Sequence, residues 1–156
     1  MESLRGFISE QGVKALVELS SKVSFIFSKD HYFRVGEHES ERISEYHFSK
    51  WYHWKHAQRE LFKSLLPEEL IRKSFVCNFT RYDANTGFLD KIVSFKERQQ
   101  STGVITAIAL FDNQQIIIED TLHTLMAGDA IRFHVAETHE VPVSNNDALW
   151  VVTCQV

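Results

Sequence analysis

The spacing of apolar residues changes character near Ser74. Before that point they recur at three- and four-residue steps, the period of an amphipathic helix. Ser9 is placed to cap a helix that carries Val13, Leu16, Val17 and Leu19 and ends near Ser21. A second, longer helix is predicted from about Glu41 to Leu66, with Ile43, Tyr46, Trp51, Trp54, Ala57, Leu61 and Leu65 along its apolar stripe. Pro67 ends it, because proline lacks an amide donor and its ring clashes with the preceding turn. Between the two helices, VSFIFS and HYFRV read as short extended segments.

After Ser74 the period falls to two. FVCNFTRY, VITAIALF, QIIIED, AIRFHV and LWVVTCQ are alternating or β-branched runs and predict five strands. Asp112-Asn113 and Ala127-Gly128-Asp129 are the turn signals between them. Helices first and many short strands afterwards predict an α+β, mostly β domain, a helical layer packed on an antiparallel sandwich or barrel. The 156 residues suffice for one well-filled core, with 1–73 as a mainly helical supporting part and 74–156 as the β core. No linker, repeat or low-complexity tract divides them.

Composition narrows the partners. A net charge of −4 provides no basic field for nucleic acid or an anionic membrane. The longest apolar runs, VITAIALF and LWVVTC, are too short to cross a bilayer. MESLRGFISEQG has early acidic residues and no apolar core of a signal peptide, so a cytoplasmic protein is expected. Cys77 and Cys154 each sit in an apolar run, as buried reduced thiols do. Twelve Phe and three Trp suit a barrel around an apolar cavity as well as they suit a plain core.

Alternation puts Asn78, Thr80 and Tyr82 on one face of FVCNFTRY, opposite Phe75, Cys77 and Phe79. Such a polar row either lines an interior, where it needs partners, or faces solvent. Arg132 and His134 likewise share a face of AIRFHV. His53 and His56 lie three apart on the second predicted helix, but no cysteine is near enough to complete a zinc site.

TGFLDKIVSFKE, GVITAIALFD and AGDAIRFHVAETHEVPV together resemble the last strands of the prolyl-hydroxylase-like 2-oxoglutarate and iron(II) dioxygenases. The resemblance runs from about Phe75 to Val156 and implies a double-stranded β-helix (jelly roll) with supporting N-terminal helices. In that family the first segment reads G-F-L-x-x-H-x-D and supplies two of three iron ligands, since alternate strand residues point the same way. Here the matching positions are Ile92 and Ser94, and a one-residue slide gives Lys91 and Val93. The family's distal histidine is matched by His139, in H-E-V-P-V. An Arg or Lys about ten residues later normally clamps 2-oxoglutarate. Ala148 or Leu149 stands there instead, and no Arg or Lys follows Arg132.

With one ligand of three and no anion clamp, the resemblance implies a scaffold that holds neither metal nor cofactor. The expected function is a metal-independent small-molecule enzyme of a biosynthetic pathway, with non-redox acid–base chemistry of isomerase, cyclase, lyase or hydrolase type. His139 would move the proton and Tyr82 assist it, with Asn78 and Thr80 hydrogen-bonding the substrate. Asp90, Lys91, Arg132 and His134 are the further candidates for the edge of that site. Two other readings stay open: a non-catalytic binding protein, and an oxygenase that recruits iron through His139 with unfamiliar partners. Exposed strand edges allow a homodimer.

Overall fold

The computed structural model describes residues 1–34, 40–86, 88–89 and 103–155, with the backbone alone described for 28–34, 40–44, 73–76 and 88–89. A short strand, β1 (Glu2–Leu4), leads into helix α1 (Glu10–Ser20). Ser9 caps this helix as expected, its extended backbone turning the Oγ to accept the Gly12 amide at 3.1 Å. Val13, Leu16 and Leu19 form its buried stripe.

The next stretch corrects the expectation of one helix from Glu41 to Leu66. Strands β2 (Ile26–Arg34) and β3 (Ser40–Lys50) form an antiparallel pair, with a 3₁₀ turn at Trp51–His53 and a shorter helix, α2 (His56–Leu65), after them. Tyr46, Phe48 and Lys50 alternate onto one face of β3, a two-residue period lying beneath the helical one. Strand β3 hydrogen-bonds β2 on one side and β4 (Ser74–Tyr82) on the other, satisfying its backbone without a helix. Pro67 does end α2, separating it from a helix of six residues, α3 (Glu68–Lys73). The N-terminal half is therefore part sheet, not only helical support.

The five predicted strands all form, as β4, β6 (Val104–Ala109), β7 (Gln114–Ile118), β9 (Ala130–His134) and β11 (Ala148–Gln155). Three short strands join them: β5 (Phe88–Leu89), β8 (Thr121–Leu125) and β10 (His139–Val141). A seven-stranded sheet runs β1-β9-β6-β11-β4-β3-β2, and a four-stranded sheet runs β5-β10-β7-β8. Every pairing is antiparallel, and from β4 onward the chain passes back and forth between the sheets, which is the double-stranded β-helix.

Alternation along the central strands divides the apolar residues between two cores. Cys77, Phe79, Leu149 and Val151 face outward onto Leu16, Phe62 and Leu70 of the helices. Trp54 stacks on Phe79 with centroids 5.2 Å apart, and Phe62 meets Phe79 edge-on at 5.6 Å. Each such ring contributes roughly 1.5–3 kcal/mol of burial. Tyr82, Phe133 and Trp150 face the other way, toward Ile116 and Ile118 of the small sheet. Helices thus brace the large sheet from behind, leaving its inner face to shape a cavity. Among the described residues, no helix is long and apolar enough to cross a membrane.

Candidate functional site

Between the two sheets lies a half-open cavity of about 320 Å³. Its floor is the inner face of the large sheet, where register sets neighbours side by side. One row runs Lys50, Asn78, Val152, Ala107 across four strands, and the next runs Phe48, Thr80, Trp150. The small sheet supplies the opposite wall, with Ile116, Val141 and His139. Most of this surface is apolar or aromatic, interrupted by a few polar groups, the usual make-up of a small-molecule site.

His139 enters from the first residue of β10. Its ring lies 5.1 Å from that of Phe133, centroid to centroid. The residue before it is pinned twice: the Thr138 amide donates to Glu119 Oε1 at 2.9 Å, and the Thr138 carbonyl accepts the Glu119 amide at 2.9 Å. These bonds fix the angle at which the chain delivers the imidazole to the wall. Glu137 is engaged elsewhere, its Oε1 accepting the His134 amide at 3.0 Å.

Burial, and secondarily the neighbouring Tyr46 phenol, push the Tyr82 hydroxyl well above its ordinary range. Tyr82 is therefore a neutral donor and not a base. Its ring lies 6.1 Å from that of Tyr46. Two other groups are buried on the cavity floor without a hydrogen-bond partner among the described residues, Asn78 Oδ1 and Trp150 Nε1. Native interiors rarely leave such atoms unpaired, so each is a place where a ligand or water belongs. At the mouth, the Lys50 ammonium sits 5.6 Å from the Phe48 ring centre and 5.8 Å from that of Tyr52.

The structure brings His139, Tyr82, Asn78 and Thr80 to one cavity. It does not bring Arg132 and His134 there. Arg132 shares a cross-strand row with Glu2 and Thr106 on the outer face, donating to Thr106 Oγ1 at 3.2 Å and pairing with Glu2 at 3.6 Å. His134 is exposed, and its Nδ1 accepts the Ala136 amide at 3.0 Å. The alternation that turns Phe133 inward turns both of these outward. Asp90 and Lys91 lie outside the described residues, as do Ile92 and Ser94. Phe48, Lys50 and Trp150 line the cavity without having been candidates in the sequence, and Tyr46, expected on the stripe of a helix, lines it as well. The two-residue spacing of Tyr46, Phe48 and Lys50 was the available signal.

An iron site of the oxygenase kind needs two imidazoles and a carboxylate converging on one point. Among the described residues no group of three His, Cys, Asp or Glu converges in this way. His139 is the one such side chain on the described lining. At the position where the resemblance places the anion clamp, Ala148 packs inward as a methyl group and Leu149 packs outward against the helices. The donors on the described lining do not by themselves make up an iron site.

Comparison with known proteins places the architecture. No protein-family model matches the chain, and no curated protein matches its sequence. Solved structures do match. A prolyl hydroxylase from Trichoplax adhaerens, solved with a peptide of the hypoxia inducible factor oxygen degradation domain, superposes with a TM-score of 0.66 at 12 % identity, over 99 % of this chain and 82 % of that one. The fold is that of the 2-oxoglutarate oxygenases. The non-heme alpha-ketoglutarate-dependent epimerase SnoN of nogalamycin biosynthesis aligns with a TM-score of 0.57 at 10 % identity, covering 97 % and 76 % of the two chains. A Pseudomonas putida prolyl-4-hydroxylase gives 0.54 at 13 % identity, covering 99 % and 91 %. At these identities the likeness is one of fold, and the chemistry must be argued from the cavity.

Proposed function

We propose that this chain is a small-molecule enzyme that uses the oxygenase barrel for non-redox acid–base chemistry, as one step of a biosynthetic pathway. The observation that carries the reading is the contrast within one cavity: an imidazole faces neutral hydrogen-bond donors across an apolar space, and the described lining offers no second metal ligand. His139 takes a proton from a carbon or hydroxyl beside a substrate carbonyl and returns it at a different atom, so substrate and product are isomers. Negative charge develops on the carbonyl oxygen during the transfer. The Tyr82 and Thr80 hydroxyls and the Asn78 amide donate hydrogen bonds to it, in a setting that the aromatic walls keep dry. Tyr82 suits this because burial holds it protonated.

A positioned acid–base group accounts for about 10²–10⁴-fold in rate, and the remainder comes from holding a reactive substrate in one geometry. One of the similar structures is named as an epimerase, and that enzyme is described as alpha-ketoglutarate-dependent, so it is a precedent for isomerisation on this fold but not for doing it without the cosubstrate. The test uses protein purified without chelators. Elemental analysis is expected to find iron, manganese, cobalt and nickel far below one equivalent. Adding iron(II) and 2-oxoglutarate is expected to leave oxygen uptake at background. Stoichiometric metal that His139→Ala removes, or oxygen uptake dependent on 2-oxoglutarate, would overturn the reading.

A further inference from the structure

We infer that the cavity takes a flat, ring-bearing carboxylate, with its anionic group held at the mouth by Lys50 and its ring laid on the aromatic floor. The inference rests on the small-molecule reading above but not on how the proton moves. Three independent features lead to it.

The first is charge. Lys50 is the one fully charged side chain on the described lining, no described lining residue is acidic, and no described carboxylate pairs with the ammonium. Its amine lies 5.6 Å from the Phe48 ring centre and 5.8 Å from that of Tyr52, contacts that leave its charge unneutralised. A cation at the entrance of a low-dielectric space attracts an anion and repels an amine. The second is shape. Tyr46, Phe48, Tyr82, Phe133 and Trp150 all present rings to the space, and rings favour flat partners in offset or edge contact. A volume of about 320 Å³ is at the small end for ligand pockets and suits one or two fused rings.

The third is the pair of orphaned atoms. Trp150 is 2 % exposed and its indole N–H is buried without an acceptor among the described residues, while Asn78 Oδ1 is buried without a donor among them. Asn78 lies directly across the strand from Lys50, and Trp150 lies beside Thr80 in the next row. A ligand whose carboxylate reaches Lys50 therefore passes over Asn78 before reaching Trp150. A hydroxyl placed for Asn78 and a carbonyl placed for Trp150 would satisfy both. This clamp stands on β3, outside the strand where 2-oxoglutarate oxygenases carry theirs, and it faces rings rather than a metal.

Isothermal titration of the metal-free full chain with 2-naphthoate, 2-naphthamide and 2-oxoglutarate tests the inference. The amide matches the naphthoate in shape and lacks its charge. A charge-assisted contact predicts naphthoate binding about tenfold more tightly than the amide. Lys50→Met, checked for an unchanged melting temperature, is expected to bring the two within about twofold, and Lys50→Arg to keep the preference. Equal binding of acid and amide, a preference that survives Lys50→Met, no binding of either ring compound at about millimolar concentration, or 2-oxoglutarate binding as tightly as naphthoate would each overturn the inference. The titrations read binding alone. Their failure leaves the acid–base reading standing, and oxygen uptake would defeat that reading without touching them.

Discussion

Replacing Ser49 by Ala tests how the strand that delivers Lys50 is anchored. Ser49 points away from the cavity and is 2 % exposed. Its hydroxyl is the centre of a relay, donating to the Ser24 carbonyl at 2.6 Å and accepting the Trp54 indole N–H at 2.8 Å. Alanine removes both bonds and leaves that indole donor, on a residue only 6 % exposed, without an acceptor. A buried donor stripped of its partner costs about 1–3 kcal/mol. Ser24 is exposed, so its carbonyl turns to water and adds little. In a chain of this size each kcal/mol lowers the melting temperature by about 2–4 °C, giving an expected fall of about 2–12 °C by circular dichroism.

Trp54→Phe provides the control. It keeps a ring over Phe79 and removes the donor, so Ser49→Ala is expected to cost much less in that background. The double-mutant cycle should return a coupling of about 1 kcal/mol or more. Zero coupling, or a single mutant melting within about 1 °C of wild type, would refute the relay and with it this account of how β3 is held.

Two further expectations rest on particular residues. Burial pushes the Cys77 thiol up to about 12, so in the native protein it should resist Ellman's reagent while unfolded protein reacts freely. Because the folded value exceeds the unfolded one, the neutral thiol's contribution is complete below about pH 8.5 and is lost as pH rises above it; urea midpoints should fall between about pH 8.5 and 10, and Cys77→Ala should flatten that slope. Gly128 has φ of 93° and a side chain there would stand 2.6 Å from the Ile8 carbonyl oxygen; the Ile8 amide in turn bonds the Gly128 carbonyl at 3.0 Å. Gly128→Ala should therefore lower stability by about 2 kcal/mol or more in urea, and a change under about 0.5 kcal/mol would contradict that geometry.

Helix α1 and five of the strands were readable because each is announced within its own residues, by a capping serine or by β-branched alternation. The barrel topology and His139 came from the likeness of three segments to a known family, and the fold comparison agrees on the architecture. Strand β3 was misread since SEYHFSK supports both a three- to four-residue and a two-residue period. What decides between them is hydrogen bonding to β2 and β4, and β4 lies some thirty residues away. The short β8 and β10 likewise exist through their neighbours.

Alternation is a local property, so it could show that Asn78, Thr80 and Tyr82 share a face, and that Arg132 and His134 do. It could not say which face encloses the cavity. That choice belongs to the register of the whole large sheet, in which a row from Glu2 through Arg132 to Thr106 is turned outward while Lys50, Asn78 and Val152 are turned in. Chain chemistry set the menu of polar groups; packing of helices against one side of the sheet decided which of them meet a ligand.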